Sequence, residues 1–262
     1  MGMTVPEDAA RECAGVWRAG RRTPCPYTAR LRPESRRDQC DDCAALDRTS
    51  SVAADTRADD PRPYTVYLAY FGPGLHKVGI TAAARGRVRL LEQGAVCFAF
   101  LGEGPLMTAR RTEAILGAAL RIPDRVPAPA KRAARYRLPS AEERADEVAA
   151  LHAEVTSLQP RLPDALRLRP SHPVDHAALF GLTDHPREPT AEVTALPPGS
   201  TLTGTVRSVA GHDVQLDTPG GRLLLDARLT AGWPLQRPAG VADSGVPTTP
   251  LRHPSDTPQS LF

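Results

Sequence analysis

The stretch that decides the fold runs through residues 64–113: YTVYLAYFGPGLHKVGIT (64–81), RGRVRLLEQGA (85–95) and ARRTEAIL (109–116). Residues 64–71 are aromatic and β-branched, and Gly72-Pro73-Gly74 breaks them as turn chemistry does. A second short strand over 75–80 completes a hairpin. Alternation puts Val66, Leu68 and Tyr70 on one face of the first strand and Tyr67 and Ala69 on the other. Thr81 is placed to cap a helix carrying Val88, Leu90 and Leu91, with Gly94 as its left-handed stop. Residues 95–101 are apolar throughout and predict a strand covered on both faces. Pro105 opens a further helix whose Leu106, Ala109, Ile115 and Leu116 make a buried stripe.

The ordered polar residues on this scaffold are Tyr67, Lys77, Arg87 and Glu113. A tyrosine, an arginine and a carboxylate are the ingredients of metal-assisted phosphodiester cleavage. TVY followed by KVG, then an arginine and a helical glutamate, resembles the GIY-YIG nuclease pattern over residues 64–122. KVGIT…LLEQGA with cysteines ahead of it also resembles an uncharacterised bacterial family, domain-of-unknown-function family 2797, over about residues 25–139. The nuclease resemblance implies that Tyr67 positions or deprotonates water, Arg87 clamps phosphate and Glu113 holds magnesium or manganese. Lys77 stands where the second-motif tyrosine would be, and Thr65 where the first-motif glycine would be. A lysine there can still meet a phosphate as a point charge.

Ahead of this segment lie Cys13, Cys25, Cys40 and Cys43, the last two as a CxxC pair. Four thiolates close a tetrahedral structural zinc site, and a short segment with little apolar core needs such a staple. Val16 and Trp17 are placed to pack beside it. Free thiols, or a redox pair at Cys40 and Cys43, are the other readings. A redox pair usually sits near a βαβ pattern, and none surrounds these residues. Cys97, inside an apolar strand, reads as a small core residue.

Charge and composition bound the partners. The net charge of +3 is too small to imply nucleic acid by itself. Its distribution is more informative. Arg11, Arg18, Arg21, Arg22, Arg30, Arg32, Arg36 and Arg37 face only Glu12 and Glu34, and residues 110–137 carry a second basic cluster with Lys131, Arg132 and Arg135. Two such clusters suit a phosphate backbone, so DNA or RNA is the expected partner. No run approaches a membrane span and no apolar signal core opens the chain, which predicts a cytoplasmic protein with no membrane partner.

Downstream, Ser140-Ala-Glu-Glu143 is a capping box heading a helix to about Leu158, with Val148, Leu151, Val155 and Leu158 as its docking stripe. His172, Asp175, His176 and His185 form a loose group read as solvated loop histidines. Turns at 210–212 and 219–221 separate short strands with Trp233 behind them. The expected class is α+β. A zinc-binding segment (1–48) and a linker (49–62) lead to a small GIY-YIG-like αβ domain with its docking helix (63–160). A proline-rich connector (161–192), a small β module (193–235) and a disordered tail (236–262) complete the chain. The leading function is metal-dependent cleavage of nucleic acid. A non-catalytic nucleic-acid-binding protein is second, and a zinc-stabilised protein-interaction scaffold third.

Overall fold

The computed structural model describes residues 1–18, 21–49, 60, 62–123, 125–182, 187–240 and 245–251. It is a mixed α+β protein with six α-helices among those residues. The chain divides into two units, one formed by residues 51–186 and the other by both chain ends, residues 1–50 with 187–262. The expected linker falls almost wholly outside the described residues. Of the described helices, none is long and apolar enough to cross a membrane.

The terminal unit begins with strands β1 (Gly2–Thr4), β2 (Val16–Arg18) and β3 (Arg21–Thr23) and helix α1 (Asp41–Thr49). β2 and β3 form an antiparallel hairpin in which Trp17 lies directly opposite Arg22.

The central unit contains β4 (Tyr64–Tyr70), β5 (His76–Ala82), α2 (Val88–Gln93), β6 (Cys97–Gly104), α3 (Leu106–Ala119) and α4 (Ala128–Arg135), then α5 (Ala141–Ser157), β7 (Arg167–Leu168), β8 (Val174–Asp175) and α6 (Ala177–Phe180). Its sheet has the order β5-β4-β6, with β7 and β8 both pairing antiparallel to β6. All seven residues of β4 are buried, because apolar side chains cover both faces. Tyr64, Val66 and Leu68 pack with Leu106, Ala109 and Leu116 of α3 and Val155 of α5. Tyr67, Ala69 and Phe71 pack with Leu90, Ala95 and Phe98. The hairpin, the strand over 97–104 and the helix opened by Pro105 lie where the pattern puts them. Gly94 takes the left-handed conformation (φ 66°, ψ 37°) at the end of α2.

Local details differ. Thr81 stays buried within β5, and a 3-10 turn over Ala83–Arg85 precedes α2, so Thr81 caps nothing. The Ser140 capping box forms: Ser140 Oγ accepts from the Glu143 amide at 3.2 Å, and Glu143 Oε2 accepts from the Ser140 amide at 2.8 Å. The expected connector, residues 161–192, instead supplies β7, β8 and α6, anchored by buried Leu166, Ala177, Phe180 and Leu182. These pieces are too short to show a hydrophobic period. His176 is no solvated loop histidine: it is buried against Phe98 and Phe180, and Nδ1 lies 3.0 Å from the Ala95 carbonyl. His185 lies outside the described residues.

The chain then returns to the terminal unit with β9 (Ala191–Val193), β10 (Thr201–Thr203), β11 (Thr205–Ala210), β12 (Asp213–Thr218), β13 (Gly221–Asp226) and β14 (Thr248–Pro250). Five of these form a sheet of order β11-β12-β13-β9-β14, and β10 pairs with β1, Met3 opposite Leu202. Met3 and Val5 from the N-terminus share one core with Leu202, Leu216, Leu225 and Trp233. The cysteine segment and the β module are therefore one unit, where the sequence reading kept them apart. β14 lies within the stretch expected to be a disordered tail, and it pairs antiparallel with β9.

Arg11 holds this unit together. It is only 2 % exposed, and its guanidinium donates to five carbonyls: Ala231, Arg228, Arg32, Ser35 and Arg37. A buried cation persists only when its donors are satisfied, and here the satisfaction spans both ends of the chain. Beside it the Glu12 amide donates to the Gly232 carbonyl at 2.9 Å. Gly232 has φ +82°, and a Cβ there would stand 2.1 Å from the Glu12 carbonyl oxygen, so only glycine fits.

Candidate functional site

Two constellations carry chemistry, one in each unit. The first is the cysteine cluster of the terminal unit. The Sγ atoms of Cys13, Cys25, Cys40 and Cys43 all lie within 4.8 Å of one another, and Cys25 and Cys40 are 3.9 Å apart. A tetrahedral zinc with Zn–S bonds near 2.3 Å separates its sulfurs by about 3.8 Å, so the four residues fit such an ion. None is in a disulfide.

Local backbone explains the convergence. Gly15 (φ +77°) turns the chain so tightly that a Cβ would meet the Thr23 carbonyl oxygen at 2.1 Å, and its amide points at Cys13 Sγ (3.4 Å). The Cys40 amide donates to the same sulfur at 3.2 Å. Cys40 and Cys43 bracket the start of α1, where amides have no partner within the helix. Backbone N–H groups of Ala29 and Tyr27 stabilise the Cys25 thiolate and bring its pKa down to about 7, whereas burial pushes the Cys13 and Cys43 thiols up. Cys13, Cys25 and Cys43 are buried beside Val16 and Ala29. Trp17, expected beside them, turns away and is 60 % exposed. Four thiolates leave no coordination position for substrate, so the site is structural in kind.

The second constellation surrounds Tyr67 on the α2 face of the central sheet. Tyr67 is 1 % exposed, and its ring lies across Gly79, where a Cβ would stand 2.3 Å from the phenol oxygen. Gly79 is directly opposite Tyr67 in the β4–β5 ladder, and Lys77, two residues earlier, is on the same face. The phenol oxygen accepts from Gln93 Nε2 at 2.7 Å. Burial raises the Tyr67 pKa above the usual tyrosine value, opposed by the Gln93 bond and by Arg89, and assisted by the negative charge of Glu113. Glu113 is half-buried on α3.

Tyr67 is thus held by Gln93 and lies within reach of the charges of Arg89 and Glu113. Arg87 is exposed at the head of α2, and its charge acts on His176. Arg89 and Gln93 were missed by the sequence reading. The available signal was their i, i+4 spacing flanking the inward-facing Leu90, which puts both on one side of α2.

The basic clusters are partly structural. Lys131 Nζ donates to the Gln93 carbonyl at 3.1 Å and lies 3.8 Å from the Phe71 ring centroid, clamping α4 onto the end of α2. Arg135 is buried. In the other cluster Arg11 is internal, Arg36 pairs with Glu192 at 2.6 Å and Arg37 pairs with Asp41 at 2.8 Å.

These features define a mixed α+β protein with a four-cysteine metal-type cluster and a buried tyrosine-centred site. The chain belongs to the family described as Protein of unknown function (DUF2797), whose pattern matches residues 9–235. That span reaches well past residues 25–139 and takes in all four cysteines, the Tyr67 site and most of the C-terminal β strands. No curated protein and no solved structure matches the chain.

Proposed function

We propose that this protein is a metal-dependent nucleic-acid phosphodiesterase of GIY-YIG type, with a structural zinc on its four cysteines and its reaction centre at Tyr67 and Glu113. The observation that carries the reading is a buried phenol that accepts from Gln93 and feels the opposed charges of Arg89 and Glu113. Gln93 donates to the phenol oxygen, and the positive charge of Arg89 acts on it. A phenol oxygen that accepts from Gln93 still has its own proton to offer. Its raised pKa keeps that proton in place at neutral pH. Tyr67 therefore orients water or a phosphate oxygen by donating to it, and does not act as the base.

Arg89 takes the phosphate-clamping role that the resemblance gave to Arg87, and Lys77 adds a second positive charge on the same face. Glu113 is the residue that would hold magnesium or manganese. These ions often bind through one or two carboxylates, and a bound ion would polarise the phosphoryl oxygen as a Lewis acid.

The near-complete burial of Tyr67 favours a second reading, in which the domain binds nucleic acid without cutting it. A panel of labelled single-stranded, duplex and branched DNA and RNA with magnesium or manganese separates the two. Cleavage by wild type that disappears in Glu113→Ala and falls sharply in Tyr67→Phe is the expected result. A salt-sensitive shift without turnover would transfer the protein to the binding class. Neither cleavage nor binding would end the nucleic-acid reading.

A further inference from the structure

A second recessed site lies in the terminal unit, beside the cysteine cluster. Its cavity of about 470 Å³ is lined by Ala10, Glu12, Ala14, Trp17, Arg22 and Trp233, with Gly232 and Pro234 at one side. That volume falls within the range of small-ligand sites, roughly 300–1,000 Å³. Its two tryptophans differ in kind. Trp233 belongs to the core of the β sheet and forms a fixed wall, while Trp17 shows 60 % of its surface to solvent. An indole held out on a strand costs hydrophobic stabilisation, and among the described residues nothing covers its exposed face.

The strand that presents Trp17 is anchored at its start. Val16 is buried among the cysteines, and Gly15 and Cys25 bound the hairpin on either side. Arg22 stands opposite Trp17 on the neighbouring strand, so both side chains emerge on one face. Arg22 Nε donates to the Ala14 carbonyl at 2.6 Å, which anchors the guanidinium beside the recess. Arg21 is exposed on the same strand. Trp17, Arg22 and Glu12 therefore border one recess.

We infer that this recess binds one unpaired nucleotide of a single-stranded nucleic acid, its base on the Trp17 indole and its adjoining phosphate on Arg22. Stacking on an aromatic side chain requires a base out of its duplex. Arginine matches a phosphate through paired N–H groups. Glu12 can accept from an exocyclic amino group, which favours cytosine, adenine or guanine over bases that lack one. A proline-rich peptide could also lie on a tryptophan, but it offers no anion to Arg22 and no donor to Glu12. The inference does not rest on cleavage at Tyr67, because a protein that only binds would carry the same recess.

The test is tryptophan fluorescence and fluorescence anisotropy of the full chain with single-stranded, duplex and proline-rich peptide probes, without added magnesium or manganese so that cleavage plays no part. The chain has two tryptophans, so Trp17→Phe leaves Trp233 as the sole indole. Wild type should be quenched by single-stranded oligonucleotides. Trp17→Phe should lose the quenching while binding within about threefold of wild type, and Trp17→Ala should bind at least about fivefold more weakly, as loss of one stacked base predicts. Zinc content unchanged in both variants checks that the unit is intact. Full affinity in Trp17→Ala would overturn the inference. So would equal, Trp17-dependent binding of duplex, or quenching by the peptide and not by the oligonucleotides.

Discussion

The cysteine cluster and the Tyr67 site reach order by opposite routes. In the first, four side chains of one type converge on a single point, and short loops with amide-to-sulfur contacts set their positions. In the second, Tyr67 of β4 is held by Gln93 of α2 and feels the charges of Arg89 and of Glu113 on α3 only because the sheet and its helices pack together. A metal-type cluster is thus a local device that stabilises its surroundings, whereas the tyrosine site depends on stability supplied by the apolar cores of the central unit.

The sharpest way to break this contrast is to remove the metal. Cys40→Ser, or exhaustive chelation, should unfold the terminal unit, since structural zinc typically contributes about 10 kcal/mol or more to folding. Circular dichroism with elemental analysis should show one zinc per wild-type chain and, in the variant, loss of the part of the thermal transition that belongs to the terminal unit. Cys97→Ser, in the core of the central unit, should leave zinc content unchanged. An unchanged melting temperature in Cys40→Ser would make the cluster dispensable and erase the distinction.

Arg11→Ala comes next. It leaves five carbonyls without their donor, and urea unfolding should show a loss of roughly 3–5 kcal/mol. A loss under about 1 kcal/mol would mean that the two chain ends are held together by the apolar core alone. Gly79→Ala probes the other region. Its methyl group would collide with the Tyr67 phenol, so it should cost about 1–3 kcal/mol and displace the hydroxyl. Any nuclease activity should fall with it, while zinc content stays at the wild-type level.

The smallest effect is on pH. Burial lowers the pKa of His76, His152 and His176, all in the central unit. A histidine whose folded pKa lies below its unfolded value near 6.5 binds fewer protons when folded, so stability is fully present above that value and declines as pH falls below it. The melting temperature should drop modestly between about pH 7 and 5, and His176→Phe should flatten part of the slope. A slope unaffected by that change would place the acid sensitivity in the other two histidines.

Much of the central hairpin was legible because alternation in residues 64–70 and the Gly-Pro-Gly turn are local signals. The four cysteines were legible as a set, since thiolates at these spacings have few uses. Neither Arg89 nor Gln93 carries a comparable mark; an arginine that follows Arg85 and Arg87 reads as one more solvated charge until the facing strand is known. Arg11 was read as part of a basic surface for the same reason. Burial of a cation is decided by which carbonyls surround it, and four of its five acceptors lie at least 24 residues away in the chain.

What the amino-acid sequence determined by itself was the identity of the elements around Tyr67, the composition of the cysteine cluster and the mixed α+β class. All three follow from interactions between residues near in sequence: side-chain period, turn chemistry and capping. Only the tertiary structure decided that the two chain ends form one unit, that residues 166–182 belong to the central sheet and its core, and that Arg89 stands by Tyr67. Those outcomes depend on which apolar faces bury one another and which distant carbonyls satisfy a buried charge. Both are properties of the packed chain as a whole.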